Sequence, residues 1–299
     1  MRYDLILLTE SRYENPEPAE INDYVRMIIQ EDKLVQEALE QKGLRVGRFD
    51  WARPEVDWSV TRAALFRTTW DYFHRFEEFS AWLEKVAAQT RLINPIEQIR
   101  WNMDKHYLRD LEEQGVCTPP AVYIHIGEST TLEALHQKTG WTDMILKPTV
   151  SGSARHTYRL NPDNLVDHES IFGQLIAQED MMLQPFQRQV VEEGELSLMV
   201  IGGAYSHAVR KVAKPGEFRV QSDFGGAVHV YEPTREEIAF AEQAVAACII
   251  QPVYARADII RDNDGHLALM ELELIEPEMW FRLFPEAAGR LAEAVVGAL

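Results

Sequence analysis

A β-hairpin signal near the C-terminus constrains this sequence more than any other feature. In the segment YARADIIRDNDGHLALMELELIEP, an Asp-Gly pair at 264–265 separates two runs of alternating polar and apolar residues. An Asp-Gly pair in that position is typical of a two-residue hairpin turn. Such a turn pairs Asp258 with Glu271 and Arg256 with Glu273. All four side chains then lie on one face of the hairpin, because side chains alternate between the faces of a strand.

The acidic face of this hairpin predicts a metal site. Directly paired side chains have Cβ atoms about 4.5–5.5 Å apart, so Asp258, Glu271 and Glu273 would repel one another unless a cation lay between them. Carboxylate oxygens suit Mg²⁺, which also binds substrate phosphates. The alternative is a solvated acidic face. Partial burial is favoured because the face continues into apolar residues: Ile260, Leu269 and Ile275. The opposite face is predicted to carry Ala257, Ile259, Met270, Leu272 and Leu274.

Net charge limits the partners of the chain. Its 299 residues carry a formal net charge of −18, which disfavours binding to nucleic acid or to anionic membranes. An acidic protein can still bind a polyphosphate through a locally basic pocket with a metal. No apolar run approaches the about 18 residues of a membrane span, and the start MRYDLILLTE is too short for a signal peptide. We therefore expect a cytoplasmic protein with a small-molecule partner.

The order of predicted elements indicates an α/β domain over residues 1–95. Strands alternate with helices there, which predicts a parallel sheet covered by helices. The strands are predicted at Tyr3–Leu8, Leu44–Phe49, Ala63–Phe66 and Leu92–Ile93. Apolar residues at helical spacing predict one helix that ends at Gly43 and another at Phe76–Ala88.

The rest of the chain reads as two α+β units. The first spans 96–183, with helices predicted at Asn102–Gln114, Thr130–Lys138 and Leu165–Ala177 and strands at Ala121–Ile124, Asp143–Lys147 and His156–Leu160. A further predicted strand, Met181–Gln184, opens the last third of the chain. The second spans 184–299 and contains the acidic hairpin. Its other elements are predicted strands at Leu196–Ile201 and Tyr205–Val212 and helices at Glu236–Ala247 and Glu286–Ala298.

Two lysines are candidates for binding phosphate. Lys147 ends an apolar strand and leads into the small residues Ser151, Gly152 and Ser153, whose backbone N–H groups can approach an anion closely. Lys105 lies near the start of a predicted helix, a position that favours anions. For each lysine the alternative is a solvated position, on a surface turn or on a helix.

Residues that follow the strand at Met181 are candidates for nucleotide contacts. The Gln184 amide can bind an adenine edge, with Phe186 packed on the ring, although the same segment can serve as an inter-domain linker. Glu195 begins a strand and can accept hydrogen bonds from ribose hydroxyls. Glu192 and Glu193 compete for that role, and a plain acidic turn remains the alternative.

A basic cluster stands out in so acidic a chain. Arg210 and Lys211 end a predicted strand, and Lys214 and Arg219 follow. Positioned cations neutralise a γ-phosphate during phosphoryl transfer. The alternative is a salt-bridged hairpin.

The run RTTWDY follows the strand at Ala63–Phe66, where loops of open α/β sheets bind ligands. Arg67, Thr68, Trp70 and Asp71 are therefore candidates to bind an amino-acid-like substrate. The alternative is a capped loop packed by its aromatic residues.

Taken in order, these segments resemble the ATP-grasp superfamily over residues 95–285. The match is closest to the branch that contains the O-ureido-serine cyclo-ligase of cycloserine biosynthesis, on the segments RTTWDY, NPIEQIRWNMDKHYL, KPTVSGSARHTY, GELSLM, GEFRVQSDFGG and ELELIEP. The resemblance implies an ATP-grasp fold in which two α+β subdomains clasp the nucleotide, preceded by a pre-ATP-grasp domain at 1–95. Residues 96–183 would form the lid and 184–299 the metal-binding subdomain.

The resemblance also implies roles for the candidate residues, with ATP and Mg²⁺ (or Mn²⁺) as cofactors. Phosphates would be held by Lys105 and Lys147, under a loop with Ser151 and Ser153. Adenine would meet Gln184 and the Phe186 backbone, and the ribose Glu195. The γ-phosphate would face Lys211, Arg256 and Arg219. Two metal ions would be bound by Asp258, Glu271 and Glu273, the last of which is Asn in many relatives.

The function implied is an ATP-dependent carboxylate–nitrogen ligase that acts through an acyl phosphate, with intramolecular cyclisation as one form of it. No side-chain nucleophile is needed, which agrees with the lack of a catalytic triad pattern. A small-molecule kinase on the same fold and a non-catalytic ATP-binding module are the alternatives. Relatives are often dimers, so a homodimer is also expected.

Overall fold

The computed structural model describes residues 3–221 and 224–299. Ser222 and Asp223, in the segment GEFRVQSDFGG, therefore lie outside the described residues, as do Met1 and Arg2 at the start of MRYDLILLTE. Within the described residues, no helix is both long enough and apolar enough to cross a membrane.

The N-terminal domain contains the parallel sheet that the sequence predicts. Its strands are β1 (Tyr3–Thr9), β2 (Val46–Asp50), β3 (Thr61–Thr68) and β4 (Arg91–Ile93). They lie in the order β2-β1-β3-β4, with every pairing parallel. The helices are α1 (Ser11–Glu14), α2 (Asp23–Gln41) and α3 (Phe76–Ala87), with 3-10 turns at Trp58–Val60 and Tyr72–His74.

The helix predicted at Asn102–Gln114 is wrong in its extent. The chain instead forms α4 (Ile96–Asn102) and α5 (Tyr107–Glu113), with a break between them. Tertiary contacts explain the break: the Asn102 side chain bonds the Leu272 carbonyl and the Leu274 N–H, and the Lys105 N–H donates to the Thr149 carbonyl. Lys105 thus lies in the turn before α5.

The middle unit, which the sequence predicts to be the lid, is an antiparallel sheet covered on one side by two helices. Its elements are β5 (Val122–Ile124), α6 (Leu132–Thr139), β6 (Met144–Pro148), β7 (Tyr158–Leu160), α7 (Leu165–Ile176) and β8 (Met181–Pro185). The strand order is β5-β8-β6-β7. Helix α5 packs against the C-terminal sheet and not against the lid core. We therefore propose that the lid begins near residue 117, later than the boundary at 96.

A five-stranded antiparallel sheet forms the C-terminal subdomain. Its elements are α8 (Gln189–Glu192), β9 (Glu195–Ile201), β10 (Ala204–Val212), β11 (Ala227–Tyr231), α9 (Arg235–Ala246), β12 (Tyr254–Arg261), β13 (Leu267–Glu273) and α10 (Pro285–Ala298). The order is β11-β10-β9-β12-β13. Strand β11 has no counterpart among the predicted elements.

The acidic hairpin consists of β12 and β13, and its register at the acidic end is confirmed. Arg256 pairs with Glu273 and Asp258 with Glu271. The predicted two-residue turn is wrong, however. Three residues, 263–265, form the loop between Asp262 and His266, whose backbones are hydrogen-bonded. Gly265 adopts a φ of +85°, as is common at the left-handed position of a three-residue hairpin loop.

A β-bulge next to Asp258 compensates for the longer loop. Asp258 pairs with Glu271, whereas the next residue, Ile259, pairs with Leu269, so Met270 is the extra residue. The predicted orientations of Leu269 and Met270 are therefore wrong. Leu269 packs into the core beneath the sheet, and Met270 lines the cleft above it.

Candidate active site

One cleft, with a cavity volume of about 270 Å³, collects most of the predicted site residues. It lies between the lid sheet and the C-terminal sheet, and the loop after β3 closes one end. The predicted residues that line it are Trp70, Lys105, Lys147, Ser151, Ser153, Gln184, Phe186, Glu195, Lys211, Arg219, Arg256, Asp258, Glu271 and Glu273. Arg67, Thr68 and Asp71 do not line it.

The acidic triad on β12 and β13 fits a divalent cation. Asp258, Glu271 and Glu273 each offer a carboxylate oxygen, and these oxygens lie within 4.8 Å of one another. A set of hard oxygen donors at that spacing suits Mg²⁺. Burial raises the pKa of Glu273 to about 7, and the charges of Glu271 and Asp258 add to that rise. The triad therefore holds a surplus of negative charge that a cation would relieve.

Asp258 is the most highly coordinated of the three. Its carboxylate accepts hydrogen bonds from Ser197 Oγ (2.5 Å), Arg256 Nε (3.0 Å) and Lys211 Nζ (2.9 Å). Although burial alone raises the pKa of Asp258, the Arg256 and Lys211 charges hold that pKa well below its usual range. Asp258 is therefore an ionised anchor for both cations.

Arg256 is fixed from several sides. Its Nη2 contacts both Asp258 and Glu273, and its guanidinium carbon lies 5.4 Å from the centre of the Trp280 ring. Trp280 is 2% exposed and has a φ of +49°, in the left-handed region that a bulky residue rarely adopts. Backbone strain of this kind persists where the surrounding structure imposes it, often at functional sites.

The two phosphate-binding candidates enter the cleft from the side opposite Lys211. Lys105 Nζ lies 3.0 Å from Glu271 Oε1 and donates to the Ser151 carbonyl at 2.7 Å. Among the described residues, Lys147 has no ion-pair partner. Burial, together with the Lys105 charge, lowers the pKa of Lys147 to about 8. An anion that enters between the two lysines would restore its full charge.

The loop at Ser151–Ala154 rests on the N-terminal domain. Ser153 and Ala154 have φ values of +48° and +55°. A Cβ added to Gly152 would lie 2.6 Å from a ring carbon of Phe73, so only glycine fits here without displacing that ring. The single glycine of the loop thus lies where the backbone approaches a neighbour closely.

An apolar slot lies at the other end of the cleft from Trp70. It is lined by Ile145, Phe186, Val190, Val220 and Met270. The Phe186 N–H already donates to the Asp143 carbonyl at 2.8 Å, and its carbonyl accepts from Asn263 at 2.9 Å. Gln184, 3% exposed, lies beside this slot.

Of the three glutamates considered for the ribose, only Glu195 lines the cleft; Glu192 and Glu193 are exposed. Glu195 faces Lys211 across β9 and β10, with Oε1 2.5 Å from Lys211 Nζ. Burial raises the pKa of Glu195, while the charge of Lys211 opposes that rise. Arg219, by contrast, lies at the rim of the cleft, paired with Glu217 at 2.6 Å.

Three of the four residues predicted to bind substrate have structural contacts instead. Arg67 is 2% exposed and lies 3.5 Å from Asp32. Thr68 Oγ1 is bonded to Thr9 Oγ1 at 2.6 Å, and Asp71 accepts from Trp51 Nε1 at 2.7 Å. The strand β3 extends through Thr68 and buries Arg67 and Thr68, which the sequence placed in a loop. Trp70 does line the cleft, and its Nε1 donates to the Glu276 carbonyl at 2.8 Å.

The sequence reasoning missed several cleft residues. Tyr72, Phe73, Glu276, Glu278 and Trp280 also line the cleft. The segment ELELIEP was noted, but nothing in its pattern separates Glu276 from the metal ligands. The left-handed conformation of Trp280 leaves no signal in the sequence.

A second group of potential metal ligands lies between the start of α5 and the lid. His106, His125 and Asp180 each offer one atom within the same 4.8 Å spacing. Both Asp180 oxygens already have partners, the Ile126 N–H at 2.7 Å and His125 Nδ1 at 3.1 Å. This group does not line the cleft, whereas the acidic triad does, so the acidic triad is the better candidate for a metal that acts there.

Two family models match this chain, one in the N-terminal domain and one in the later part of the chain. Residues 5–94 match the family model described as the D-cycloserine synthetase DcsG N-terminal domain, and residues 161–275 match the RimK-like ATP-grasp domain. The cycloserine biosynthesis protein DcsG of Streptomyces lavendulae is 31% identical over 274 residues, which cover 88% of this chain and 92% of that protein.

Solved structures give the same result. The crystal structure of D-cycloserine synthetase DcsG is similar with a TM-score of 0.85 and 28% identity, covering 98% of this chain and 99% of that one. A D-alanine–D-alanine ligase from Bacillus anthracis complexed with ATP shares the fold, with a TM-score of 0.63, 14% identity and coverage of 98% and 96%. A RimK domain ATP-grasp protein from Sphaerobacter thermophilus DSM 20745 also shares it, with a TM-score of 0.67, 15% identity and coverage of 98% and 100%. The chain therefore belongs to the ATP-grasp ligases, enzymes that form C–N bonds, and to the group of them with a DcsG-type N-terminal domain.

Proposed function

We propose that this enzyme activates the carboxylate of a small amino-acid-like substrate with ATP and then joins it to a nitrogen nucleophile. ATP-grasp ligases generally use ATP and Mg²⁺. One observation supports the proposal most strongly: basic and acidic side chains contact one another within one cleft. Lys105 Nζ lies 3.0 Å from Glu271, and both Arg256 and Lys211 contact Asp258. Phosphate-binding cations and metal-binding carboxylates thus share one space.

In the first step, a carboxylate oxygen of the substrate attacks the γ-phosphorus of ATP. A P–O bond forms, the bond from the γ-phosphorus to the bridging oxygen breaks, and ADP leaves. Lys105 and Lys147 would hold the phosphates, while Arg256 and Lys211 would neutralise charge on the transferring group. Mg²⁺ bound by Asp258, Glu271 and Glu273 would supply further charge neutralisation when present.

In the second step, the nitrogen attacks the acyl carbon of the acyl phosphate. The C–N bond forms, the bond from carbon to the phosphate oxygen breaks, and inorganic phosphate leaves while the nitrogen loses a proton. Similarity to a D-cycloserine synthetase supports a nitrogen within the same molecule, so that the product is a ring. Positioning of the two groups in the closed cleft would supply most of the catalysis.

We propose that adenine occupies the apolar slot beside Phe186 and that Glu195 lies near the ribose. The Phe186 N–H and carbonyl both have partners, so the contact with adenine would use the aromatic ring and the amide of Gln184. Because the reaction consumes ATP, we expect the enzyme to work in the cytoplasm.

A phosphate-release assay tests this proposal. Purified enzyme with Mg-ATP is supplied with amino acids and O-substituted serines, including both enantiomers of O-ureidoserine, and products are identified by mass spectrometry. We expect ADP and inorganic phosphate in equal amounts. The cyclic product should be lighter than the substrate by one water, or by one water and the carbamoyl group where the ureido group is also lost. A stable phosphorylated product would indicate a kinase instead. Tight ATP binding with background ADP release across the panel, in folded protein, would indicate a non-catalytic module.

A further inference from the structure

The carboxylate of Glu276 stands apart from the other acids at the substrate end of the cleft. It lines the cleft three residues after Glu273, just beyond the end of β13. Its acidic neighbours all have partners: Glu273 contacts Arg256, Glu278 lies 2.7 Å from Arg282, and Glu31 lies 2.9 Å from the same arginine. Within residues 3–221 and 224–299, Glu276 forms no ion pair.

An isolated carboxylate in such a position needs a positive partner. Burial, and then the charges of Glu273 and Glu271, raise the pKa of Glu276 well above its ordinary value. Glu276 is half-buried, and a carboxylate that is partly removed from water without a partner is unfavourable, so Glu276 either holds a proton or meets a cation that arrives with a ligand. Of the other cations of the cleft, Lys105, Lys211 and Arg256 are already paired with metal-binding or ribose-side acids. Lys147 lies on β6, where the proposed function assigns it to the phosphates of ATP.

The surroundings of Glu276 suit an ammonium group. Trp70 donates its indole N–H to the Glu276 carbonyl at 2.8 Å, which fixes this ring beside the residue. Tyr72, from the same N-terminal segment, lines the cleft and is buried close to the Glu276 charge. Aromatic rings next to a carboxylate are a favourable environment for an organic cation.

The position of Glu276 relative to the reacting groups suggests which cation of a ligand it binds. Arg256, a ligand for the transferring phosphate under the proposed function, also donates to the Glu278 carbonyl, on the same segment as Glu276. We infer that Glu276 binds the α-ammonium group of an α-amino acid whose carboxylate accepts the phosphoryl group. This inference rests on the proposed function and names its substrate class.

A binding experiment tests the inference without turnover. The full chain is loaded with Mg²⁺ and the non-hydrolysable analogue AMP-PNP and titrated calorimetrically with O-ureidoserine (each enantiomer) and with 3-(ureidooxy)propanoate, which lacks only the amino group. We expect one enantiomer to bind at least about ten-fold more tightly than the desamino compound, since one charge-assisted hydrogen bond contributes roughly 1.5–3 kcal/mol.

Two variants separate Glu276 from its neighbours. Glu276→Gln should reduce the preference for the amino compound to within about two-fold, because the neutral amide cannot balance an ammonium. The Tm of the ligand-free protein should stay similar or rise, since the change removes a half-buried acid that has no ion pair among the described residues. Glu278→Gln is the matched control and should keep the preference, because Glu278 already pairs with Arg282.

Three results would overturn the inference: equal binding of the amino and desamino compounds by the wild type, retention of the preference in Glu276→Gln, or no binding of either compound. Failure of the proposed function is a different result. If the amino compound binds in a Glu276-dependent way and yet releases no phosphate from ATP, the ligase proposal fails and the ammonium site stands. If instead both compounds were turned over with equal KM, the ligase proposal would stand and the ammonium site at Glu276 would fail.

Discussion

At the scale of single residues, the charged side chains of the site form a network of ion pairs with one another. Lys105 forms an ion pair with Glu271, and Lys211 forms ion pairs with both Glu195 and Asp258. The sequence predicted these residue types and their common location. It did not predict their partners, because partners depend on how β9 and β10 come beside β12.

Substitution of Glu271, one acid of the triad, can show whether this residue acts in catalysis or in stability. We predict that Glu271→Gln lowers Mg-dependent turnover on the order of 100-fold or more, since a metal ligand is lost. The Tm should change little, because loss of the ion pair with Lys105 (3.0 Å) is offset by relief of the repulsion from Asp258. Phosphate release and thermal unfolding measure the two effects. Glu236→Gln, exposed on α9, makes the same change in charge and serves as the control. A large fall in Tm would instead assign Glu271 a structural role.

Lys147 should take up a proton when ATP binds. Its pKa of about 8 reflects burial and the charge of Lys105, and a triphosphate beside it would favour the charged form. At pH 8.5 we expect uptake of roughly 0.7 proton for each ATP bound, and ATP affinity should weaken as the pH rises above about 8. Calorimetry in two buffers of different ionisation enthalpy measures the uptake. Lys147→Gln should abolish it, and uptake that persists in this variant would assign the proton to another group.

At the scale of elements, the acidic hairpin shows what a local pattern can and cannot predict. Period-two alternation predicted the pairing of Asp258 with Glu271. The same pattern gave the wrong turn, and the bulge at Met270 restored the register. Bulges arise where packing on two faces must be reconciled, and here Leu269 fills the core while Met270 reaches the cleft. That demand comes from neighbouring elements, so it is invisible in the hairpin sequence.

Strand β10 carries a group that should make stability depend on pH. Burial lowers the pKa of His207 from 6.5 to about 4, although a hydrogen bond with the Met279 carbonyl (2.7 Å) opposes this. The unfolded chain therefore binds the proton first as the pH falls. Stability that His207 contributes above pH 6.5 is lost as the pH falls towards 4, by about 2 kcal/mol at pH 5. Urea unfolding measures the free energy of unfolding at pH 7.5 and 5.0. Between these pH values, His207→Gln should lose less of this free energy than the wild type, by the amount that His207 accounts for. His229→Gln, on the exposed face of β11, should behave as the wild type.

At the scale of the whole molecule, the sequence predicted the fold class and the place of the cleft but not how the domains join. The N-terminal domain is not a separate body: Tyr254 on β12 donates its hydroxyl to the Ile275 carbonyl at 2.6 Å and lies 3.3 Å from the Phe66 carbonyl. Helix α10 packs against α2 in the same apolar core. Because this core joins segments about 200 residues apart, no local pattern could reveal that Arg67 and Thr68 would be buried within it.

Asn94 tests whether these domains unfold as one. It is fully buried at the end of β4, where its amide donates to the carbonyls of Tyr254 (3.0 Å) and Leu274 (2.8 Å) and accepts from the Val253 N–H (2.7 Å). Asn94→Ala leaves three backbone groups without partners, so we expect a loss of about 3 kcal/mol or more in the free energy of unfolding.

The loss should appear in both domains at once. Fluorescence of the N-terminal tryptophans Trp51 and Trp58, read in a variant whose other tryptophans are replaced by phenylalanine, should follow the same urea transition as β-sheet circular dichroism. Both transitions should move together in Asn94→Ala. Asn164→Ala is the control. It removes a 3.2 Å bond to the Arg159 carbonyl and a 2.8 Å bond from the Asn161 N–H at the surface of the lid, and it should cost only about 1 kcal/mol because water can replace these bonds. If the tryptophan signal changed at a lower urea concentration than the circular dichroism already in the parent protein, the shared core would not couple the domains. The pre-ATP-grasp domain would then be an independent unit that merely supplies Trp70 to the cleft.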